Sequence, residues 1–175
     1  VYLHHHHTEF MTITNLNWLP VLNKDHHKQI VVEALRHRVK ADVLTLYAFV
    51  LMPNHFHAIW QIHDHVKKED FMRDLLKFTA RSILNFMRMH EDPMLNSLLV
   101  NAADRKYQVW ERNSLGFDIY AHRVFVQKLD YIHRNPLQPR WNLCSQPEEY
   151  YYSSALFYET GGKEGGFDML THFRD

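Results

Sequence analysis

Apolar and polar residues follow two different periods along the first half of the chain. Between Asp25 and Lys40, apolar residues recur every three or four positions with charged residues between them, which predicts an amphipathic helix. Residues 43–51 form an almost unbroken apolar run, typical of a central strand, and Pro53-Asn54 then indicate a turn. From His55 to His63 the period is two, which predicts a second strand with one face in the core.

The rest of the chain predicts further helices and short strands. We expect a strand at Thr12–Leu16, a long helix at Glu69–Met89, a strand at Tyr107–Trp110, a loop at Ser114–Asp118, a helix at Ala121–Arg134 and a short helix within Gln146–Tyr158. Strands before, between and after long helices indicate an α+β fold. An antiparallel β-sheet with long helices packed on one face, ferredoxin-like in topology, fits this order best.

The length of 175 residues is suited to one domain with a sizeable core, which we place at residues 11–160. Residues 1–10 include the histidine run His4 to His7 and resemble a tag with cloning residues rather than native sequence. Two glycine pairs after residue 160 predict a loose C-terminal tail at residues 161–175.

Composition restricts the function without defining it. Cys144 is the only cysteine, which excludes an internal disulfide and favours a reducing, cytoplasmic location. No apolar run approaches the roughly 18 residues of a membrane helix, so we expect no membrane association. The formal net charge is zero, so binding to nucleic acid requires charge segregated into patches. Arg73, Lys77 and Arg81 recur every four residues and predict one basic ridge on the long helix.

Two histidines and a distant tyrosine are the strongest candidates for chemistry. A strand places His55 and His57 on the same face, where two imidazoles can hold a divalent metal ion. The phenol of Tyr131 is a poor nucleophile at neutral pH unless its target is made more electrophilic, which a metal achieves. Asn135 lies one helical turn beyond Tyr131, and both a metal-ligand role and a helix-ending role before Pro136 stay open.

Three separated motifs then give a specific resemblance. They are Met-Pro-Asn-His-Phe-His at 52–57, Lys-Leu-Asp-Tyr-Ile-His-Arg-Asn-Pro at 128–136, and Tyr-Tyr-Tyr-Ser-Ser-Ala at 150–155. In this order they resemble the REP-associated tyrosine transposases, relatives of the single-tyrosine HUH transposases of small bacterial insertion sequences. The name HUH denotes His, a hydrophobic residue and His, which here are His55, Phe56 and His57. The resemblance covers roughly residues 12–158.

The resemblance implies a metal-dependent endonuclease and strand transferase that acts on single-stranded DNA beside hairpins, in the cytoplasm and associated with the nucleoid. His55 and His57, with Asn135, would bind Mg²⁺ or Mn²⁺, and Tyr131 would form a 5′-phosphotyrosine link that a 3′-hydroxyl later attacks. Insertion-sequence relatives usually carry Gln where this chain has Asn135. DNA contacts would come from the cations Arg73, Lys77, Arg81, Arg123, Lys128, Arg134 and Arg140, with Trp110 or Trp141 stacking on unpaired bases.

Two other functions compete with this one. The first is a domesticated protein that binds hairpin DNA and has lost its chemistry. The second is a phosphoesterase with a histidine nucleophile, but such enzymes commonly use a longer alternating histidine series, and Ile59 interrupts it here. A homodimer is as compatible with the resemblance as a monomer.

Overall fold

The computed structural model describes residues 5–174 of the chain. Its strands are β1 (Glu9–Thr14), β2 (Leu44–Leu51), β3 (His55–Ile62), β4 (Leu99–Ala102), β5 (Arg105–Tyr107) and β6 (Leu115–Asp118). Its helices are α1 (Asp25–Lys40), α2 (Lys68–Met89), α3 (His122–Arg134) and α4 (Ala155–Glu159). No helix in this part of the chain combines the length and the apolarity needed to cross a membrane.

Four strands form one antiparallel sheet in the order β2-β3-β1-β6, and β4 and β5 form a separate hairpin. Along the chain, the sheet and its first two helices follow the order β1, α1, β2, β3, α2, β6. Both orders are those of the ferredoxin-like βαββαβ arrangement. The predicted α+β fold with an antiparallel sheet is therefore confirmed.

The two faces of the sheet carry separate cores. On one face, Phe56 and Trp60 of β3 pack with Leu75 of α2 and with α1. On the other face, Ile59 of β3 packs with Leu129 and other apolar residues of α3. The prediction of long helices on one face holds for α1 and α2, while α3 covers the opposite face.

The edge strand β6 occupies residues for which the sequence predicted a loop. Leu115–Asp118 pair with β1, but all four side chains are exposed, so no alternating burial pattern identifies the strand. A Cβ atom on Gly116 would lie 2.1 Å from Met11 Sδ, so a side chain at this position would require the Met11 side chain to move. The strand exists because its backbone pairs with β1, which a hydrophobic pattern does not reveal.

The predicted strand at Tyr107–Trp110 is shifted in the structure. Tyr107 ends β5, which pairs with β4, whereas Trp110 only forms an isolated bridge with Asn15. The first strand is shifted as well, because β1 ends at Thr14 and Leu16 begins a short 3₁₀ turn.

The N-terminal boundary of the packed domain lies before Met11. Glu9 is buried, accepts a hydrogen bond of 2.8 Å from Trp60 Nε1 and forms an ion pair with Lys68. Phe10 is buried beneath α3. Glu9 and Phe10, which the sequence analysis grouped with a tag, are thus part of β1.

The C-terminal segment is packed against the outer edge of β2 rather than loose. Phe167 and Met169 are buried in the core, and the backbone N–H of Thr171 donates to the carbonyl of Leu46. Farther along the same edge, the N–H of Leu51 donates to the carbonyl of Tyr152. These contacts cover a strand edge that would otherwise expose unpaired backbone groups.

Candidate active site

Strand β3 places His55 and His57 on the sheet face covered by α3. Because side chains alternate along a strand, Phe56 and Ala58 point into the opposite core while the two imidazoles share one side. Both histidines are buried, and their ring centroids lie 4.8 Å apart. The structure therefore brings the predicted pair together on one surface, which we call the histidine face.

Hydrogen bonds on the Nδ1 atoms orient both rings. His55 Nδ1 donates to Asn54 Oδ1 at 2.7 Å, so Nε2 of that ring carries the free lone pair. His57 Nδ1 shares a hydrogen bond of 2.8 Å with Thr12 Oγ1. His57 Nε2 is buried and has no hydrogen-bond partner among the described residues. An Nδ1 contact that fixes the ring and a free Nε2 are typical of metal-binding histidines.

Burial also keeps both imidazoles neutral. Loss of solvation lowers the pKa of His55 to about 4, with a further contribution from the Arg140 charge. Burial, with smaller contributions from the nearby His55, Lys128 and Arg140, lowers the pKa of His57 to about 3. At pH 7 both rings are in the neutral form that coordinates metals.

Helix α3 brings Tyr131 next to this pair. The rings of Tyr131 and His57 meet edge to face, with centroids 5.2 Å apart. Tyr131 is 38% exposed, because its helical neighbours Leu129 and Ile132 take the buried positions under α3. The phenol ring thus lies at the histidine face and remains open to solvent.

Asn135 continues the helical conformation beyond α3, with φ −56° and ψ −44°. Its side chain is fully buried, makes no capping hydrogen bond, and leaves both Oδ1 and Nδ2 without a partner among residues 5–174. Asn135 is the C-cap of α3, so the helix-ending role is observed, while its unpaired buried amide leaves Oδ1 able to act as a ligand as well. No group of three His, Cys, Asp or Glu side chains forms a metal site in the described part of the chain. Any third protein ligand beside His55 and His57 would therefore be another residue type, and Asn135, whose Oδ1 has no hydrogen-bond partner, is the candidate that the sequence indicated.

Two predicted cations flank the histidines. Lys128 Nζ lies 5.4 Å from the ring centroid of Tyr131, and the Arg140 guanidinium lies 5.4 Å from the ring of Trp141. Trp141 is in turn 5.9 Å from His55, so Lys128 and Arg140 approach the pair from different sides.

The other two predicted cations of this region are on the solvent side of α3. Arg134 donates to Asp130 at 3.1 Å, and Arg123 is exposed in the first turn of the helix. The structure thus separates the four α3-region cations into two beside the histidines and two on the helix exterior.

The α2 ridge lies on the opposite side of the molecule from the histidine face, because α2 packs on the other core. Arg73, Lys77 and Arg81 line a groove of about 740 Å³ between α2 and residues 104–112, which we call the basic cleft. Arg73 is also bonded to Asp70 and Asp74. Sequence reasoning missed three further cations that line this cleft: Arg88, Arg105 and Arg112. Helical spacing from Arg81 identifies Arg88, but Arg105 and Arg112 reach the cleft only through tertiary structure.

The predicted aromatic stacking residues differ in their placement. Trp110 is buried and donates from Nε1 to Thr79 Oγ1 at 3.0 Å, so it is a core residue and the prediction for it was wrong. Trp141 is half-buried and lies beside His55. Trp18 was missed; it is 58% exposed, with its ring 5.9 Å from that of His55.

The third sequence motif holds α3 in place. His133 Nε2 lies 2.9 Å from Ser154 Oγ, and Ser154 Oγ accepts a hydrogen bond from the Phe49 N–H. The hydroxyl of Tyr150 donates to the carbonyl of Leu51 at 2.7 Å. Burial lowers the pKa of His133 to about 4, so it is neutral at pH 7. The tyrosine- and serine-rich segment thus ties the helix that carries Tyr131 to the sheet that carries the histidines.

The fold and site define a class: ferredoxin-like α+β proteins with two histidines on a central strand and a tyrosine from a facing helix. Among solved structures, a REP-associated tyrosine transposase bound to a REP hairpin aligns with a TM-score of 0.64 and 17% identity, over 100% of this chain and 92% of its own. A presumed transposase from Deinococcus radiodurans R1 aligns with a TM-score of 0.51 and 15% identity, over 74% of this chain and 91% of its own.

No model of a protein family matches the chain, and no curated protein matches it in sequence. At these identities the likeness concerns the fold. The resemblance found in the sequence is confirmed at that level: the chain has the fold of a REP-associated tyrosine transposase.

Proposed function

We propose that this protein is a transposase-like, metal-dependent endonuclease and strand transferase for single-stranded DNA at hairpins. The observation that carries the proposal is the approach of the Tyr131 ring to within 5.2 Å of the His57 ring, on the side where two neutral imidazoles converge. The fold likeness to a transposase bound to a hairpin supports the substrate class. The described residues supply both histidines and the tyrosine from one chain, so the proposal requires no second subunit.

In this proposal His55 and His57 hold Mg²⁺ or Mn²⁺ through Nε2, and Asn135 Oδ1 is a third ligand. A divalent ion held there would supply polarisation of the scissile phosphate and would offset the charge that develops on it. A site with both imidazole and oxygen ligands binds Mn²⁺ with higher affinity than Mg²⁺. The Nδ1 hydrogen bonds to Asn54 and Thr12 hold the rings for this role.

Tyr131 is the proposed nucleophile. Its phenolic oxygen forms a bond to phosphorus while the bond from phosphorus to the 3′-oxygen breaks, and that oxygen leaves as a 3′-hydroxyl after taking up a proton. The product is a 5′-phosphotyrosine link. A 3′-hydroxyl can later attack this link and displace Tyr131, so strands are rejoined without a nucleotide cofactor.

DNA would contact both basic regions. Lys128 and Arg140 lie close enough to the histidine face to neutralise phosphates next to the scissile bond. The basic cleft, with six Arg or Lys side chains and two acidic ones among its lining residues, suits the phosphates of a paired stem. Arg123 and Arg134 would add weaker contacts from the exterior of α3.

The test is formation of a covalent adduct with single-stranded hairpin oligonucleotides taken from DNA that flanks the gene. We expect an SDS-resistant adduct that requires Mn²⁺ or Mg²⁺ and that disappears in Tyr131→Phe. Tyr120→Phe is the matched control, since Tyr120 is 76% exposed and its hydroxyl donates to Asp118 away from the histidines.

Two results contradict the proposal. An adduct of normal yield in Tyr131→Phe would refute the nucleophile. Tight hairpin binding with no adduct at any metal concentration would instead support a domesticated DNA-binding protein.

A further inference from the structure

The histidine face continues without a break to the open edge of the sheet. Strand registers place Leu115 opposite Thr12, and Thr12 opposite His57, in one row across three strands. In the next row Phe117 lies opposite Phe10. Residues that are directly opposite share a sheet face, so both β6 side chains lie on the histidine side.

Ring contacts connect this edge to the proposed metal ligand. Phe117 and Phe10 have centroids 5.5 Å apart, and Phe10 stacks on His57 at 5.3 Å. Two strand spacings of about 4.8 Å separate β6 from β3, so the edge lies roughly 10 Å from the histidines. That is the neighbourhood of the nucleotides next to a phosphate held at His57.

The edge exposes apolar surface that the fold itself does not use. Leu115 is 70% exposed and Phe117 is 44% exposed, although both belong to a regular strand. Two exposed apolar side chains on the same face of one strand provide a surface on which apolar groups of a ligand can pack.

A cation sits on the same surface. Lys128 Nζ lies 5.2 Å from the Phe117 centroid, 5.0 Å from that of Phe10 and 5.4 Å from that of Tyr131. Among residues 5–174 no ion pair joins Lys128 to a carboxylate. Its charge is therefore held by three aromatic rings and stays available to an anion.

We propose that Leu115, Phe117 and Lys128 form a subsite for one unpaired nucleotide adjacent to the scissile phosphate, with the base stacked on Phe117 and its phosphate on Lys128. This inference rests on the proposed function, and it places the path by which the single strand leaves the active site. Aromatic rings combined with a cation are the chemistry that binds single strands without sequence preference. A second copy of the chain is the less suitable occupant, because the apolar side chains project from the sheet face while strand pairing would use the backbone edge.

The test uses the whole protein and hairpin oligonucleotides with a single-stranded extension of about 15 nucleotides, matching common single-strand site sizes, each with one 2-aminopurine at a different position of the extension. We expect the fluorescence of one or two positions to be quenched on binding. Phe117→Ala should abolish that quenching and weaken binding about tenfold, whereas Phe117→Trp should retain both. Val126→Ala, which removes an exposed apolar side chain from α3, is the matched control.

Lys128→Gln should keep the quenched position and lower the salt dependence of binding by about one counterion. Equal affinity and equal quenching in Phe117→Ala and the wild type would overturn the subsite. So would a wild-type dimer that Phe117→Ala converts to a monomer, because the surface would then be a protein interface. The experiments distinguish failure of the subsite from failure of the proposed function. If only the proposed function is wrong, no adduct would form on Tyr131, while the quenched position would persist.

Discussion

The histidine face and the basic cleft carry similar charge in different surroundings. On the histidine face, cations lie over aromatic rings: Lys128 over three rings and Arg140 over Trp141. In the cleft, one of the six lining cations, Arg88, lies over a ring, that of Tyr107, while the other five line an open groove and Trp110 turns its indole inward to Thr79. Rings and cations together suit unpaired bases, whereas cations in an open groove suit phosphates alone. A chain of zero net charge thus segregates two basic surfaces on opposite sides of one sheet.

The largest expected effect comes from removing a histidine side chain of the histidine face. His57→Ala should lower the rate of adduct formation at least about a hundredfold, because one of the two proposed imidazole ligands is lost, while hairpin affinity stays within about threefold. Single-turnover kinetics measures the rate and a binding titration measures hairpin affinity, while electron paramagnetic resonance measures Mn²⁺ affinity, which should also fall. His63→Ala is the control, since His63 lies beyond β3 and bonds to Thr45. Normal Mn²⁺ affinity in His57→Ala would contradict the assigned role.

Substitutions in the basic cleft should have the opposite effect, with weaker hairpin binding and an unchanged rate of adduct formation. Lys77→Gln combined with Arg81→Gln should weaken hairpin binding about tenfold near 0.15 M salt and lower the salt slope by about two, because each removes one proposed phosphate contact. The rate at saturating DNA should not change. Lys40→Gln, at the end of α1, supplies a control charge, because Lys40 does not line the basic cleft and pairs with Asp168. A changed saturating rate with unchanged affinity would reverse the roles of the two surfaces.

The contact of His133 with Ser154, which holds α3 on the sheet, should make the stability of the protein depend on pH. Burial lowers the pKa of His133 to about 4 from 6.5, so between these values the unfolded chain binds more protons than the folded one. Stability should therefore fall as pH decreases from 6.5 towards 4, by up to about 1.4 kcal/mol per pH unit from this residue.

His133→Gln should remove that part of the pH dependence and cost about 1 kcal/mol at pH 7 through the contact with Ser154. Urea unfolding at several pH values measures both quantities. An unchanged slope below pH 6.5 in His133→Gln would show that His133 titrates normally in the folded protein.

The smallest expected effect is a difference in hairpin affinity between variants of two cations of α3, Arg134 and Lys128. Arg134→Gln should weaken hairpin binding less than threefold, because Arg134 is exposed and already paired with Asp130. Lys128→Gln should weaken binding more, because its charge lies on the histidine face. Filter-binding titrations of both variants on one oligonucleotide make the comparison, and equal losses would show that the ring contacts of Lys128 carry no advantage.

Much of the fold could be predicted because burial imposes a strong period. The helix at Asp25–Lys40 and the strand from His55 have one clear apolar face each, and both match the structure. Strand β6 could not be predicted, because its four side chains are exposed and only backbone pairing defines it. The C-terminal segment was missed for a related reason: Phe167 and Met169 are isolated apolar residues among glycines, without any period.

The candidate site also has parts that the sequence predicts and parts that it does not. The period of two on β3 places His55 and His57 together, and this part follows from the sequence alone. The approach of Tyr131 joins residues more than 70 positions apart, and no local pattern encodes it; the resemblance to known transposases suggested it. The burial of Trp110 and the exposure of Trp18 depend on tertiary packing around each indole.

The central claim is that Tyr131 attacks DNA from its position beside His57. Mass spectrometry of protease digests of the adduct tests it directly, by identifying the peptide that carries the nucleotide. We predict a 5′-phosphonucleotide on Tyr131, within the peptide that spans α3, and only in samples that contained Mg²⁺ or Mn²⁺. A nucleotide attached to any other residue, or to Tyr131 through its 3′-phosphate, would contradict the account.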